Sequence, residues 1–190
     1  MISREFFERS PLVCARALIG AELRWDGCVG IVVETEAYDA VGDEAAHTFF
    51  RPSARAFVER HAPGTAYVYL NYGMHWLFNV LVKGRRTGFV LFRAIEPTAG
   101  IETMQRRRGM DALRKLCSGP GKLTQAFGIH GAHHGMDLCS DPEFAFCERS
   151  GRPRVVTDER IGISVAMHLP WRFTLADSPF VSVRWKPASA

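Results

Sequence analysis

The chain has 190 residues, 47% of them hydrophobic and 23% charged, a balance that excludes disordered and collagen-like classes and fits one globular domain over residues 1–190. Its formal net charge of +4 permits a polyanionic partner without requiring one. Five scattered cysteines with no Cys-x-x-Cys pair argue against a disulfide framework and a zinc ribbon. A chain of this length buries roughly 70% of its unfolded surface and needs neither. The charged start Met1-Ile2-Ser3-Arg4-Glu5 does not read as a signal peptide, and no run approaches the roughly 18 apolar residues of a bilayer span. A soluble, cytosolic protein in a reducing compartment is expected.

Ser10-Pro11 ahead of an apolar run ending at Ile19-Gly20 predicts a short, capped core helix. Residues 21–25 and 28–38 are β-prone runs around Asp26-Gly27, the signature of a two-residue hairpin. Alternation on the second strand predicts Val29, Ile31, Val33 and Thr35 on one face and Val32, Glu34 and Glu36 on the other. Residues 49–63, irregular and basic, read as a surface loop or short helix. Residues 66–72, 76–82 and 89–95 are strand candidates of an antiparallel meander that Pro97 ends. Thr98 reads as the cap of a helix reaching Arg108, and residues 118–127 as a second helix stopped by Gly128. Short strands are predicted at 161–166, 172–175 and 180–184. With no repeat or linker, the pattern is α+β rather than a regular βαβ alternation.

All four tyrosines fall between positions 38 and 72, which fits either an aromatic site or cross-strand packing in a sheet. Glu34 and Glu36 end an apolar strand, where a partly buried carboxylate can serve as a base and a solvated one serves nothing. His130, His133 and His134, with Cys139 nearby, suggest a metal. The glycines that punctuate them, and the want of a defined fourth ligand, favour a loop. The His-x-Glu and Pro-Cys-x-x-Cys signature of base deaminases does not occur, nor does a Gly-x-Ser-x-Gly elbow. Ser118-Gly119-Pro120-Gly121-Lys122-Leu123 is not a triphosphate loop, because Leu116 and Leu123 stand where glycine and a magnesium-binding hydroxyl belong. It reads as a capped helix or as a holder of a single phosphate, through backbone N–H groups and Lys122. Arg106-Arg107-Arg108, Arg114 and Lys115 form a basic stretch that fits a nucleic-acid backbone or a solvated face.

Five motifs, taken in order, carry a resemblance. They are Val33-Glu34-Thr35-Glu36-Ala37-Tyr38, Asp43-Glu44-Ala45-Ala46-His47, residues 64–74 (Gly-Thr-Ala-Tyr-Val-Tyr-Leu-Asn-Tyr-Gly-Met), residues 91–97 (Leu-Phe-Arg-Ala-Ile-Glu-Pro) and residues 116–123 (Leu-Cys-Ser-Gly-Pro-Gly-Lys-Leu). Together they resemble the alkyladenine (3-methyladenine) DNA glycosylase family over residues 10–183. The resemblance implies a single α+β domain with a curved, mainly antiparallel sheet and surrounding helices. It also implies a basic DNA-binding face and a pocket for one nucleotide flipped out of the duplex.

By that resemblance Glu36 deprotonates a water that attacks C1′ and stabilises the cationic sugar, and Arg93 supports it. Tyr38, Tyr69 and His47 match the walls that sandwich the base, where electron-rich rings favour an N-alkylated cationic purine. The His47 backbone N–H tests the purine 6-position, and Asn79 matches the residue that collides with the 2-amino group of guanine. Tyr72 matches the wedge that fills the gap left by the flipped base, with Met74 beside it. Gly119, Gly121 and Lys122 are expected on the DNA backbone.

The implied enzyme is a monofunctional, metal-free and cofactor-free hydrolase, acting as a monomer on double-stranded DNA with damaged purines and away from any membrane. Its substrates would be 3-methyladenine and 7-methylguanine, with hypoxanthine and ethenoadenine as further candidates. The rivals are a non-catalytic lesion-binding module and an N-glycoside hydrolase of nucleosides or RNA. Residues 49–62 depart from the family pattern, with Arg55 as the surviving element, and Trp76, Leu77 and Phe78 are expected to narrow the site.

Overall fold

The computed structural model describes residues 1–184. Helix α1 (Pro11–Leu18) opens where the Ser10 hydroxyl accepts the Val13 N–H, and it buries Cys14, Ala15 and Leu18. Asp26 and Gly27, at φ 47° and 73°, then turn β1 (Glu22–Trp25) into β2 (Cys28–Asp39). Both central residues are left-handed, as a two-residue hairpin turn of this hand requires.

The basic segment forms two helices, α2 (His47–Phe50) and α3 (Pro52–Arg60), joined by Arg55, whose guanidinium donates to the Thr48 and Phe49 carbonyls at 2.8 and 3.2 Å. It is more than surface, because Ala54 and Phe57 of α3 are buried against Tyr67, Leu81 and Phe89. The meander follows as β3 (Ala66–Asn71), β4 (His75–Lys83) and β5 (Thr87–Ala99). Pro97 does not end it. It pairs with Gly30 beside a register shift, a position where a missing N–H is tolerated. Thr98 therefore lies in β5, and α4 (Ile101–Arg108) starts instead from Gly100 in the left-handed conformation.

Short α5 (Leu113–Leu116) precedes α6 (Pro120–Phe127), which Gly128 terminates in the left-handed region as expected. Two further strands, β6 (Phe144–Cys147) and β7 (Val155–Asp158), had no sequence signal beyond four residues each, and β8 (Arg172–Leu175) lies where predicted. Residues 161–166 and 180–184 are not strands. Gly162 and Ala166 bend the first segment at φ 77° and 49°, and Ile161 and Ser182 give their backbone N–H groups to glutamates rather than to a ladder.

The eight strands form one antiparallel sheet curled into a half-barrel, with β3, β4, β5, β2, β1 and β6 side by side. Strand β2 is its axis. Along one edge it pairs with β5 for nearly its whole length, and along the other with β1 first and β8 afterwards. A single apolar cluster joins Ile2 at one end of the chain to Phe173 at the other. At its centre Phe78, Phe92 and Phe146 stack with centroids 5.0 and 4.7 Å apart, and the Trp25 ring meets Phe78 edge-on. The five cysteines are free thiols, and among the described residues no helix is long and apolar enough to cross a membrane.

One irregularity in β2 and β5 shapes everything on the other side of the sheet. Val32 pairs with Ile95, Glu34 with Ala94 and Thr35 with Phe92, so Val33 and Arg93 stand outside the pairing. A residue added to each strand flips the alternation of both while keeping their register. Val32 consequently lies in the core together with Ala37, four residues beyond Val33, rather than beside Glu34 and Glu36 as strict alternation predicts. Thr35 also faces inward, donating to the Ala15 carbonyl at 2.9 Å. Beyond the flip, Glu34, Glu36 and Tyr38 of β2 and Arg93 and Leu91 of β5 face away from the core.

The stacked phenylalanines generate a prediction. Phe92→Ala should lower unfolding stability by about 3–5 kcal/mol, read as a reduced denaturation midpoint at unchanged slope; a loss within error of zero would show that the stack is not the centre of the core.

Candidate active site

The face that the strand irregularity turns outward lines a cavity of about 1080 Å³. Strands β2, β3, β4 and β5 form its floor, α2 and residues 118–122 flank it, and residues 161–165 cross it as a strap. Tyr38, His47, Tyr69, Tyr72, Asn79, Arg93, Gly119, Gly121 and Lys122 all border this one cavity, so residues from Tyr38 to Lys122 converge. Met74 is not among the lining residues. It stands beside Tyr72 at the β3–β4 hairpin tip, where Tyr72 and Gly73 have φ 49° and 68° and the two side chains are 83% and 69% exposed.

Two fully buried glutamates sit behind the wall, and their partners separate their roles. Glu34 accepts from Arg93 Nε at 3.2 Å, Arg172 Nε at 2.8 Å, the Ser182 N–H at 2.6 Å and the Ser182 hydroxyl at 2.8 Å. Four donors fill a carboxylate, so Glu34 is a tether for two arginines. Glu36 accepts from the Tyr38 hydroxyl at 2.8 Å and Arg93 Nη1 at 3.3 Å on Oε2, and from the Ile161 N–H at 2.9 Å on Oε1. Its Oε1 keeps an unused lone pair, and all three of its partners border the cavity.

Burial raises the proton affinity of Glu36 above the ordinary carboxylate range, while Arg93, the Ile161 N–H and the Tyr38 hydroxyl oppose the rise. Burial, then the neighbouring Glu36, raises Tyr38 well above an ordinary phenol, so its hydroxyl stays a donor.

The aromatic walls come from different elements. His47 at the start of α2 tilts against Tyr69 of β3 with centroids 4.3 Å apart, and its Nδ1 lies 3.0 Å from the Tyr67 hydroxyl. Burial and the nearby Arg51 push His47 down to about 4, leaving a neutral ring at physiological pH. Arg51 itself lies 5.6 Å over Phe50 and 5.7 Å over Tyr69. Tyr38 is backed on β2 by the Arg160 guanidinium, 4.6 Å from its ring. Asn79 is nearly buried and donates to the Tyr67 carbonyl at 3.1 Å, which fixes its side chain at the floor.

Several sequence expectations resolve differently. Trp76 and Phe78 turn into the core, so of the bulky trio only Leu77 borders the cavity. Within the basic stretch Arg108 reaches the cavity and bonds Gln125, whereas Arg107 is spent on Asp26 at 3.0 Å and the Ala126 carbonyl. His133 Nδ1 accepts the His130 N–H, His130 Nδ1 accepts the Ala132 N–H, and His134 Nδ1 accepts the Val68 N–H at 3.2 Å. Among the described residues no group of three or more potential ligands is placed to hold a metal ion. Sequence reasoning missed Arg172, Ser182, Ile161 and Arg160. None carries a local signal, since each reaches the site from a segment more than 60 residues beyond Arg93.

Comparison with known proteins supplies an independent view. The family model for methylpurine-DNA glycosylase (MPG) matches residues 5–179. A protein of Rhodopseudomonas palustris (strain HaA2), named "Putative 3-methyladenine DNA glycosylase", is 49% identical over 186 residues, covering 97% of this chain and 92% of its own. Relatives of the same name from Nitrosospira multiformis and Granulibacter bethesdensis are 46% and 44% identical, each covering 93% of this chain and, respectively, 91% and 85% of their own lengths. Likeness that runs through every strand contributing to the cavity leaves one assignment: the chain belongs to the methylpurine-DNA glycosylase family.

Proposed function

We propose that the protein is a monofunctional DNA N-glycosylase that flips alkylated purines out of duplex DNA and hydrolyses their glycosidic bond, with 3-methyladenine and 7-methylguanine as substrates. The observation that carries the reading is a buried carboxylate with a free lone pair, Glu36, held by Arg93 directly behind an aromatic cavity.

Glu36 takes a proton from a water on Oε1 as that water attacks C1′, and the same negative charge stabilises the oxocarbenium-like sugar. The bond to the base breaks towards the purine, whose alkyl-derived positive charge the leaving electron pair neutralises. Arg93 holds the carboxylate in place and ionised, while Tyr38 on one side and His47 with Tyr69 on the other take the cationic ring. A neutral His47 suits that task, because a charged one would repel the substrate.

Asn79 at the floor collides with the 2-amino group of normal guanine and so disfavours it; 7-methylguanine carries the same group and is released because its cationic ring is already a good leaving group. Tyr72 and Met74 enter the duplex, and Lys122, Gly119 and Gly121 meet its backbone. The exposed Tyr72 favours duplex DNA over free nucleosides, where a wedge has no purpose.

Single-turnover release of 3-methyladenine and 7-methylguanine from methylated duplex DNA, in EDTA, tests the reading. Glu36→Gln should slow release by about 10²–10⁴-fold with lesion-duplex affinity retained; equal loss of binding and release would remove Glu36 from the reaction. Tyr72→Ala should weaken lesion-duplex binding by about 1–3 kcal/mol at unchanged thermal stability, and unchanged affinity would count against the wedge. Because Glu36 must be ionised and burial raises its proton affinity, release of 7-methylguanine should fall as pH drops, with a midpoint above the ordinary glutamate value of 4.5. A flat profile down to that value would show that no such group limits the rate.

A further inference from the structure

Arg160 and Asp43 form an ion pair with both side chains fully buried, Nη1 and Nη2 meeting the two carboxylate oxygens at 2.6 and 2.8 Å. A buried pair is poor evidence for stability, since apolar residues of similar volume often serve a core as well or better. What this pair holds is more telling. Arg160 also donates to the Ala37 carbonyl on β2 at 3.0 Å and to the Ala166 carbonyl at 3.2 Å, which closes the strap of residues 161–165 on itself. The guanidinium carbon lies 4.6 Å from the centroid of the Tyr38 ring and 5.2 Å from that of Trp171, within cation–π range of both. Its Nε is buried without an acceptor among the described residues.

Asp43 is as fully used. It accepts the Asp39 N–H at 3.2 Å and the Ala45 N–H at 3.1 Å, which fixes the loop leading into His47. One pair therefore joins the back of the Tyr38 wall, the approach to the His47 wall and the strap. The strap's first residue after Arg160, Ile161, donates to Glu36 and accepts from Arg93 at 3.3 Å.

We propose that Arg160, locked on Asp43, is a positioning residue for excision that keeps the Ile161 N–H on Glu36 and the Tyr38 ring against the base. The proposal rests on the reading of Glu36 as the base. With the clamp loosened, the Ile161 N–H leaves Oε1, the carboxylate loses a donor that favours its ionised form, and it gains a proton at higher pH. The other charged and titratable groups facing Glu36 stay in place: Arg93 on β5, Glu34 and Tyr38 on β2, and Arg172 opposite it in register on β8.

Arg160→Lys keeps a cation beside Asp43 but cannot reach Asp43, Ala37 and Ala166 together. Single-turnover release of 7-methylguanine, whose departure needs no added proton, is followed against pH for parent and variant, with lesion-duplex affinity measured in parallel. The acid limb should move up by about one pH unit, with the plateau rate lower by about tenfold. A purely structural role would change the fraction of folded protein at every pH and leave the limb where it was, so an unmoved limb in folded Arg160→Lys overturns the proposal. Where that variant fails to fold, Arg160→Met with Asp43→Asn removes both buried charges and is read in the same way, a displaced limb supporting the proposal and an unmoved one overturning it. Glu36→Gln run alongside separates the two ideas: release at the parental rate would sink the base reading itself, whatever Arg160 does.

Discussion

Two unpaired residues, Val33 and Arg93, determine what this sheet can do. A regular β2–β5 ladder would send alternate residues to the core and to the cavity without interruption, and Val32, Glu34 and Glu36 would share a destination. The double irregularity puts Val32 inside and both acids outside, and it delivers Arg93 to the same side as the acids it must hold. The point of inversion coincides with the place where β2 exchanges one neighbour, β1, for another, β8. Arg172 arrives on that second neighbour, so the change of partner brings in the cation that completes the tether on Glu34.

The resulting charge cluster is self-consistent. Glu34 and Glu36 face Arg93 and Arg172, and Arg172 is bound on its other side by the Asp158 carboxylate. Buried charges are costly unless paired and hydrogen-bonded. Here the pairing is unequal, with one acid saturated and one left with room. Chemical identity does not separate two glutamates two residues apart; the number of donors does. Segments far apart in the chain supply those donors, which ties the site to the completed fold rather than to any local motif.

How much of this was legible beforehand follows from the range of the forces involved. The Ser10 cap, the Asp26-Gly27 turn and the Gly128 stop act over two to four residues, and the structure has them where local rules put them. Thr98 failed as a cap because β2 extends β5 past Pro97, a pairing that no neighbouring residue announces. Residues 161–166 have strand-like composition, yet the backbone of Ile161 is committed to Glu36 and Arg93 and the carbonyl of Ala166 to Arg160. Ordered motifs single out the cavity residues Tyr38, His47, Tyr69, Asn79 and Arg93, and Glu36 buried behind them. The clamp made by Arg160 lay outside those motifs, and only three-dimensional proximity reveals it.

The hairpin tip has a further consequence. Tyr72 is held in a left-handed conformation by a turn of very few residues, next to a glycine that shares it, so the ring stands out from the surface before any partner arrives. On the role proposed for it, the backbone of the tip needs no rearrangement at each encounter, and the same projecting residue would meet every step along a duplex. Discrimination during such a search falls on how firmly each base pair resists intrusion, and weakly stacked, damaged positions yield first.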